Sequence, residues 1–149
     1  MPRSTRRRRL RATLSGLCVI LAAASVPADE AGPATERLLT IEPSATWAGV
    51  ARVHLEIEDV RQIGDVLEGT YRIRVPLSPG RNDTGRLVLH TSASLDKLGT
   101  TLATVSGDAV SSTGEVHEVD ARMQPDGVVR IRVVTPWRTL RFKSRYGLH

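Results

Sequence analysis

Three side chains at alternate positions of one run could bind a metal ion. His54, Glu56 and Glu58 follow a two-residue period, which places them on one face if the run is a β-strand. Imidazole and carboxylate groups are ligands that zinc, manganese and iron accept. Same-face neighbours on a strand point in parallel about 7 Å apart, so His90 or His117 would have to complete the site. The competing interpretation is an ordinary solvated face, and we favour it.

A second candidate site is the basic C-terminal stretch. Residues 127–149 contain six basic residues and no acidic residue, whereas residues 29–68 contain nine acidic and three basic residues. The basic side chains of interest are Arg138, Arg141, Lys143 and Arg145, interleaved with the rings of Trp137, Phe142 and Tyr146. Basic residues interleaved with aromatic rings are typical of surfaces that bind polyanions. This stretch therefore predicts an anion-binding or partner-binding surface.

The charge segregation also has a structural interpretation. If the first and last strands of the fold pair, Glu56 and Glu58 lie opposite Arg141 and Lys143. Each cross-strand pair of opposite charges contributes about 0.2–1 kcal/mol to stability. Pairing of the first strand with the last would also remove an exposed sheet edge. We expect this pairing, and polyanion binding is the alternative.

The elements that must position these residues are β-strands. The clearest signal is residues 119–142, where two runs of alternating apolar and polar residues flank a turn that contains Pro125 and Gly127. Proline presets φ for such a turn and glycine permits a positive φ, so this stretch predicts a hairpin. The predicted strands are residues 50–60, 67–77, 86–91, 100–106, 115–123, 128–135 and 137–146. About seven strands without a helical period predict an all-β fold, either an antiparallel β-sandwich or a small β-barrel.

The N-terminal segment has the pattern of a secretory signal peptide. Residues 1–28 contain an arginine-rich start, an apolar run and small residues before Asp29. The apolar run is shorter than the ~20 residues that cross a bilayer as a helix, so we expect cleavage and no stable membrane span. A twin-arginine signal and a mitochondrial transit peptide are the alternatives. The remainder divides into residues 29–48, a linker or edge segment, and residues 49–149, the β-domain.

Removal of the signal peptide changes the charge and the thiol content of the chain. The segment carries six of the 21 Lys and Arg residues, and all 16 acidic residues follow it, so the formal net charge falls from +5 to −1. Cys18, the single cysteine, also lies in this segment, which excludes disulfides and thiol catalysis from the mature chain. Arginine outnumbers lysine by 19 to 2, which we interpret as a high-GC bacterial coding bias. We therefore expect a periplasmic or secreted bacterial protein.

No complete catalytic motif accompanies these features. We therefore expect a non-catalytic binding module or envelope accessory protein that needs no cofactor. Export argues against nucleic acid as the partner and favours an envelope protein or an acidic polymer. The alternative is a metal-dependent or small-ligand protein that uses His54, Glu56 and Glu58.

Overall fold

Apolar and polar residues alternate along most of residues 38–149, the part of the chain that the computed structural model describes. The signal-peptide prediction concerns residues 1–28 and lies outside the described residues. The alternation produces β1 (Leu38–Ala48), β2 (Ala51–Ile63), β3 (Val66–Arg74), β4 (Asp83–Thr91), β5 (Ala103–Ser111), β6 (Val116–Met123), β7 (Val128–Val134) and β8 (Thr139–Leu148). The described residues contain two short 3-10 turns and no helix long and apolar enough to cross a membrane.

The sheet closes on itself. Each strand pairs antiparallel with the next strand in sequence, and β8 pairs with β1, which gives a closed barrel of eight strands. The closing register places Leu39 opposite Leu148 and Ile41 opposite Tyr146. The predicted all-β fold is confirmed. Of the two architectures that the sequence left open, sandwich and barrel, the structure has the barrel. Closure pairs both sides of every described strand, so the sheet presents no open edge.

β1 explains why the barrel has one strand more than the sequence predicted. Residues 38–48 belong to the segment that the sequence analysis assigned to a linker or edge, but here they pair with β2 on one side and β8 on the other. Register shifts flank Ile41, and Pro43 follows, so the two-residue period is interrupted. Ser144 of β8 donates a hydrogen bond to the Glu42 carbonyl beside this irregularity. The barrel therefore includes residues that the predicted domain boundary left out.

The barrel interior is filled by aliphatic side chains. The largest fully buried ones are Ile73, Leu95, Leu98, Met123, Leu140, Val53, Val75 and Val129. An apolar cavity of about 30 Å³ remains inside, against about 300–1,000 Å³ for an ordinary ligand pocket. The interior is therefore a packed core, and the loops and the outer surface are left as the places where a partner can bind.

The two ends of the barrel are covered differently. At one end, the β4–β5 loop inserts Leu95 and Leu98 into the interior. At the other end, the β3–β4 loop carries Arg81, whose guanidinium carbon lies 5.2 Å from the centroid of the Trp137 ring in the β7–β8 turn. These two connections lie on opposite sides of the ring of strands, so the contact spans the mouth of the barrel.

Candidate functional site

A row of three cations crosses the outer surface of β6, β7 and β8. Arg122 lies opposite Arg130, and Arg130 lies opposite Lys143. All three side chains are exposed, and none forms an ion pair with a carboxylate of residues 38–149. Directly opposed side chains on antiparallel strands have Cβ atoms about 4.5–5.5 Å apart, and like charges at that distance destabilise a sheet. Strand register therefore fixes three positive charges side by side.

The next row on this surface is partly neutralised. Arg132 lies between Asp120 and Arg141, and its Nη1 is 2.6 Å from Asp120 Oδ2 and 3.2 Å from Glu118 Oε1. The hydrogen bond to Asp120 is the main cause that raises the pKa of Arg132 above its usual value. Arg141 has no carboxylate partner within the described chain. One arginine of this row is thus held by acids and the other is free to bind an anion.

Together these residues form what we call the basic face: Arg122, Arg130, Arg132, Arg141 and Lys143. They border an open groove of about 760 Å³, with Thr104 and Ser106 on its β5 side and with one acid, Asp120, which is bound to Arg132. The backbone beneath the groove is a paired sheet, so the cations are anchored on rigid strands. The groove offers several cations and two hydroxyl groups, which are donors suited to sulfate, phosphate and carboxylate oxygens.

The basic stretch that the sequence singled out divides among three places. Arg141 and Lys143 lie on the basic face, whereas Arg145 lies further along β8 opposite Val128. Arg138 lies in the β7–β8 turn at the barrel end, where its carbonyl accepts a 2.7 Å hydrogen bond from Thr135 Oγ1. The aromatic partners are not a surface stack, because Phe142 is buried and Tyr146 is half-buried, with its hydroxyl bound to main-chain carbonyls.

The predicted pairing of Glu56 and Glu58 with Arg141 and Lys143 is wrong. β1 lies between β2 and β8, so the acidic strand and the basic strand do not touch. Glu56 instead lies opposite Arg72 of β3, whose Nη1 is 3.4 Å from Glu56 Oε2. The error follows from missing β1: the first strand does pair with the last, but it is not the strand that carries the acids.

The candidate metal ligands on β2 are not joined by the additional histidine that a metal site would need. His54, Glu56 and Glu58 all lie on the outer face of β2, as their spacing indicated. His90 is on the surface of β4 with Asp65 as its neighbour, and His117 points into the barrel. Within residues 38–149, no three His, Cys, Asp or Glu side chains come together in a way that could hold a metal ion. The described structure thus offers the metal hypothesis no coordinating cluster.

A polar cluster inside the barrel was not anticipated from the sequence. Asp83 Oδ2 accepts hydrogen bonds from Tyr71 Oη at 2.6 Å and His117 Nε2 at 2.9 Å, and Oδ1 accepts one from Ser111 Oγ at 2.5 Å. The four residues belong to β4, β3, β6 and β5. Gly85 lies opposite Tyr71, and a Cβ there would be 2.0 Å from the Val110 carbonyl oxygen and 2.8 Å from the Tyr71 ring, so glycine leaves room for both. One carboxylate therefore ties four adjacent strands together.

The electrostatics of this cluster favour an ionised Asp83. Partial burial alone would raise its pKa, but the hydrogen bonds from Ser111, Tyr71 and His117 outweigh burial and hold the pKa below its usual value. Burial, followed by the hydrogen bond to Asp83, raises the pKa of Tyr71, so the phenol stays protonated. The ionised carboxylate fixes a proton on His117 Nε2, and the buried Nδ1 has no hydrogen-bond partner in the described residues.

The composition of the cluster is that of a Ser-His-Asp nucleophile, but its geometry is different. Ser111 Oγ donates to Asp83, so the imidazole of His117 does not accept the hydroxyl proton. A serine nucleophile needs a base within hydrogen-bond reach of its oxygen. Asp83 is the centre of the arrangement, and we interpret the cluster as a structural crosslink. It was hidden in the sequence because its members lie on four strands, with Asp83 between the predicted strands 67–77 and 86–91.

Comparison with known proteins adds no family to this geometry. No protein-family model matches the chain, and neither the curated proteins nor the solved structures contain a match.

Proposed function

We propose that this protein is an exported, non-catalytic binding module that holds an acidic polymer of the cell envelope on its basic face. The observation that carries the proposal is the row of Arg122, Arg130 and Lys143, three cations placed side by side with no acid among them. Export is supported by the signal-peptide pattern of residues 1–28. The proposed compartment, periplasmic or extracellular, is where such polymers are found.

The spacing of the row suits a polymer better than a single small anion. Neighbouring strands are about 4.8 Å apart, so a row across three strands spans about 10 Å. A chain with repeated carboxylate or sulfate groups can contact several cations at once, and each contact releases bound counterions, which makes binding strong at low salt and weak at high salt. An anion in this groove would also relieve the repulsion among the three cations.

The rest of the molecule supports binding at the surface. The interior leaves a cavity of about 30 Å³, which excludes a ligand enclosed by the barrel. The net charge of the chain after residue 28 is −1, so attraction to a polyanion needs a local concentration of cations. The basic face provides that concentration, because its residues come from three strands of one side of the barrel.

The test is retention on immobilised heparin, a sulfated polysaccharide, with the eluting salt concentration as the readout. Lys143→Glu and Arg130→Glu should each elute at clearly lower salt than the parent protein. Arg86→Glu is the matched control, since Arg86 is an exposed cation on β4 that lies opposite Thr70 and Val110. Equal losses in all three variants would show that only net charge matters, and no loss in any would overturn the proposal.

A further inference from the structure

Exposed apolar side chains concentrate at one end of the barrel. The end formed by residues 49–50, 75–82, 112–115 and 135–138 and the adjoining strand termini is called here the apolar end. Its exposed large apolar residues are Trp47, Val50, Leu77, Val116 and Trp137. Val50 is 91% exposed, Leu77 80% and Trp47 69%, so two side chains from the connecting segments and one from the end of β1 project into solvent. Both tryptophans of the sequence are in this group.

The charges at the two ends of the barrel differ in sign. The loops of the apolar end carry Arg81, Arg138 and one acid, Glu115, whereas Arg52, Arg74 and Asp83 lie at the adjoining strand ends. The loops at the opposite end, residues 64–65, 92–102 and 124–127, carry Asp65, Asp96 and Asp126 with the single cation Lys97. The apolar end thus exposes more apolar surface than the opposite end, and its loops are more positively charged.

Contacts among the loops make this end one continuous surface. A Cβ placed on Gly49 would lie 3.3 Å from Arg138 Nη1, so the Arg138 side chain reaches the β1–β2 turn. Arg81 lies over the ring of Trp137 and joins the β3–β4 loop to the β7–β8 turn across the mouth. The β1–β2 turn with Val50 therefore adjoins the β7–β8 turn with Trp137, and Trp47 lies at the end of β1 that leads into the first of these turns.

We propose that the apolar end docks this protein on the surface of an anionic lipid membrane. Tryptophan prefers the headgroup level of a bilayer, where its ring is in an apolar layer and its N–H is in a wet one. Val50 and Leu77 would enter the acyl boundary, and the surrounding arginines would meet negatively charged headgroups. A second copy of this chain is a poor occupant, because two apolar ends facing each other would bring their arginines together.

This site is separate from the basic face. The basic face lies on the outer side of β6–β8, whereas docking uses the loops at the end of the barrel, so a polymer and a membrane could be held at the same time. The two proposals can also be tested independently, because substitutions in the loops and substitutions on the basic face change different residues.

The experiment is tryptophan fluorescence of the exported, purified protein mixed with lipid vesicles, checked by co-sedimentation. Vesicles that contain phosphatidylglycerol should shift the emission to shorter wavelength and sediment the protein, whereas pure phosphatidylcholine vesicles should do neither. Both tryptophans lie at the docking surface, so the signal reports this end directly. No shift with the anionic vesicles would overturn the proposal, as would a shift that depends on protein concentration without lipid.

Variants locate the docking surface. Val50→Asp and Leu77→Asp should each weaken vesicle partitioning about tenfold or more, because each removes an apolar group from the contact and adds a negative charge. Ile63→Asp and Leu102→Asp are matched controls at the opposite end, 60% and 56% exposed, and should bind as the parent does. Lys143→Glu should also bind vesicles normally while eluting from heparin at clearly lower salt. Vesicle binding that survives Val50→Asp but fails in Lys143→Glu would overturn the proposal.

Discussion

Two outer faces of the same barrel carry arginines in opposite arrangements. On β2 and β3, Glu56 Oε2 lies 3.4 Å from Arg72 Nη1 and 3.9 Å from Arg74 Nη2, so the cations are partly neutralised. On β6–β8, Arg122, Arg130 and Lys143 of the basic face lie side by side without an acid. Both faces cover the same packed core and satisfy the same sheet geometry. The first arrangement is what stability alone favours, and the second is the one that the proposed anionic partner would neutralise.

The largest expected effect on stability is a difference between the inner and the outer side of β7, one of the strands that carry the basic face. Ile131 is 3% exposed and fills the interior, whereas its neighbour Arg130 is exposed. Ile131→Ala should lower the free energy of unfolding by about 2–5 kcal/mol, because it leaves a cavity in the core. Arg130→Ala should change it far less, as measured by chemical denaturation. Similar losses at both positions would contradict the assignment of the inner and outer faces of β7.

The Asp83 cluster should give the next largest effect and a pH dependence. Asp83→Asn removes a carboxylate that accepts bonds from Tyr71, Ser111 and His117, and should cost about 1–3 kcal/mol near neutral pH. The folded pKa of Asp83 lies below its unfolded value, so its contribution is present above the unfolded pKa and is lost as pH falls through the folded one. Denaturation of both proteins from neutral pH into acid should show the difference shrinking below about pH 4. A difference that is constant with pH would contradict this account.

Reversing one charge should have a smaller effect on the free energy of unfolding, with opposite signs on the two faces. Glu56→Lys places like charges beside Arg72 and Arg74 and should cost up to about 1 kcal/mol. Lys143→Glu gives Arg130 an opposite charge and should stabilise by a similar amount. Both effects should fade at high salt, because the screening length falls from about 8 Å at physiological ionic strength to about 3 Å in 1 M salt.

The two substitutions should also be additive, because β1 separates β2 from β8. Denaturation of the parent, the Glu56→Lys and Lys143→Glu single variants and the double variant measures this. Effects of the same sign, or a clear coupling between the substitutions, would mean that the two faces do not differ as the register indicates.

Parts of this structure were readable from the sequence because they depend on local spacing. The hairpin around residues 124–127 follows from strict alternation and a turn with Pro125 and Gly127, and the structure pairs β6 with β7 across it. β1 was not readable as a barrel strand, because the irregularity around Pro43 breaks its period. Without β1, the closure of the sheet could not be predicted. The strand neighbours of Glu56 could therefore not be assigned either.

The candidate sites show the same limit. The outward direction of Lys143 followed from its strand, but the row that it completes required the register of three strands. The bonds around Asp83 join residues as far apart in sequence as Asp83 and His117, and no spacing rule connects them. Contacts between distant strands were therefore beyond reach, while the faces of single strands were not.

The most direct test of the central claim is the salt dependence of heparin affinity, measured together with stability in the same variants. Arg130→Gln should weaken binding and reduce the slope of log Kd against log salt concentration by about one, since one fewer counterion is released. Its free energy of unfolding should stay the same or rise, because a repulsion with Arg122 and Lys143 is removed. Arg86→Gln, outside the basic face, should leave the slope unchanged. An unchanged slope in Arg130→Gln, or an equal change in Arg86→Gln, would contradict the claim that the basic face exists to bind a polyanion.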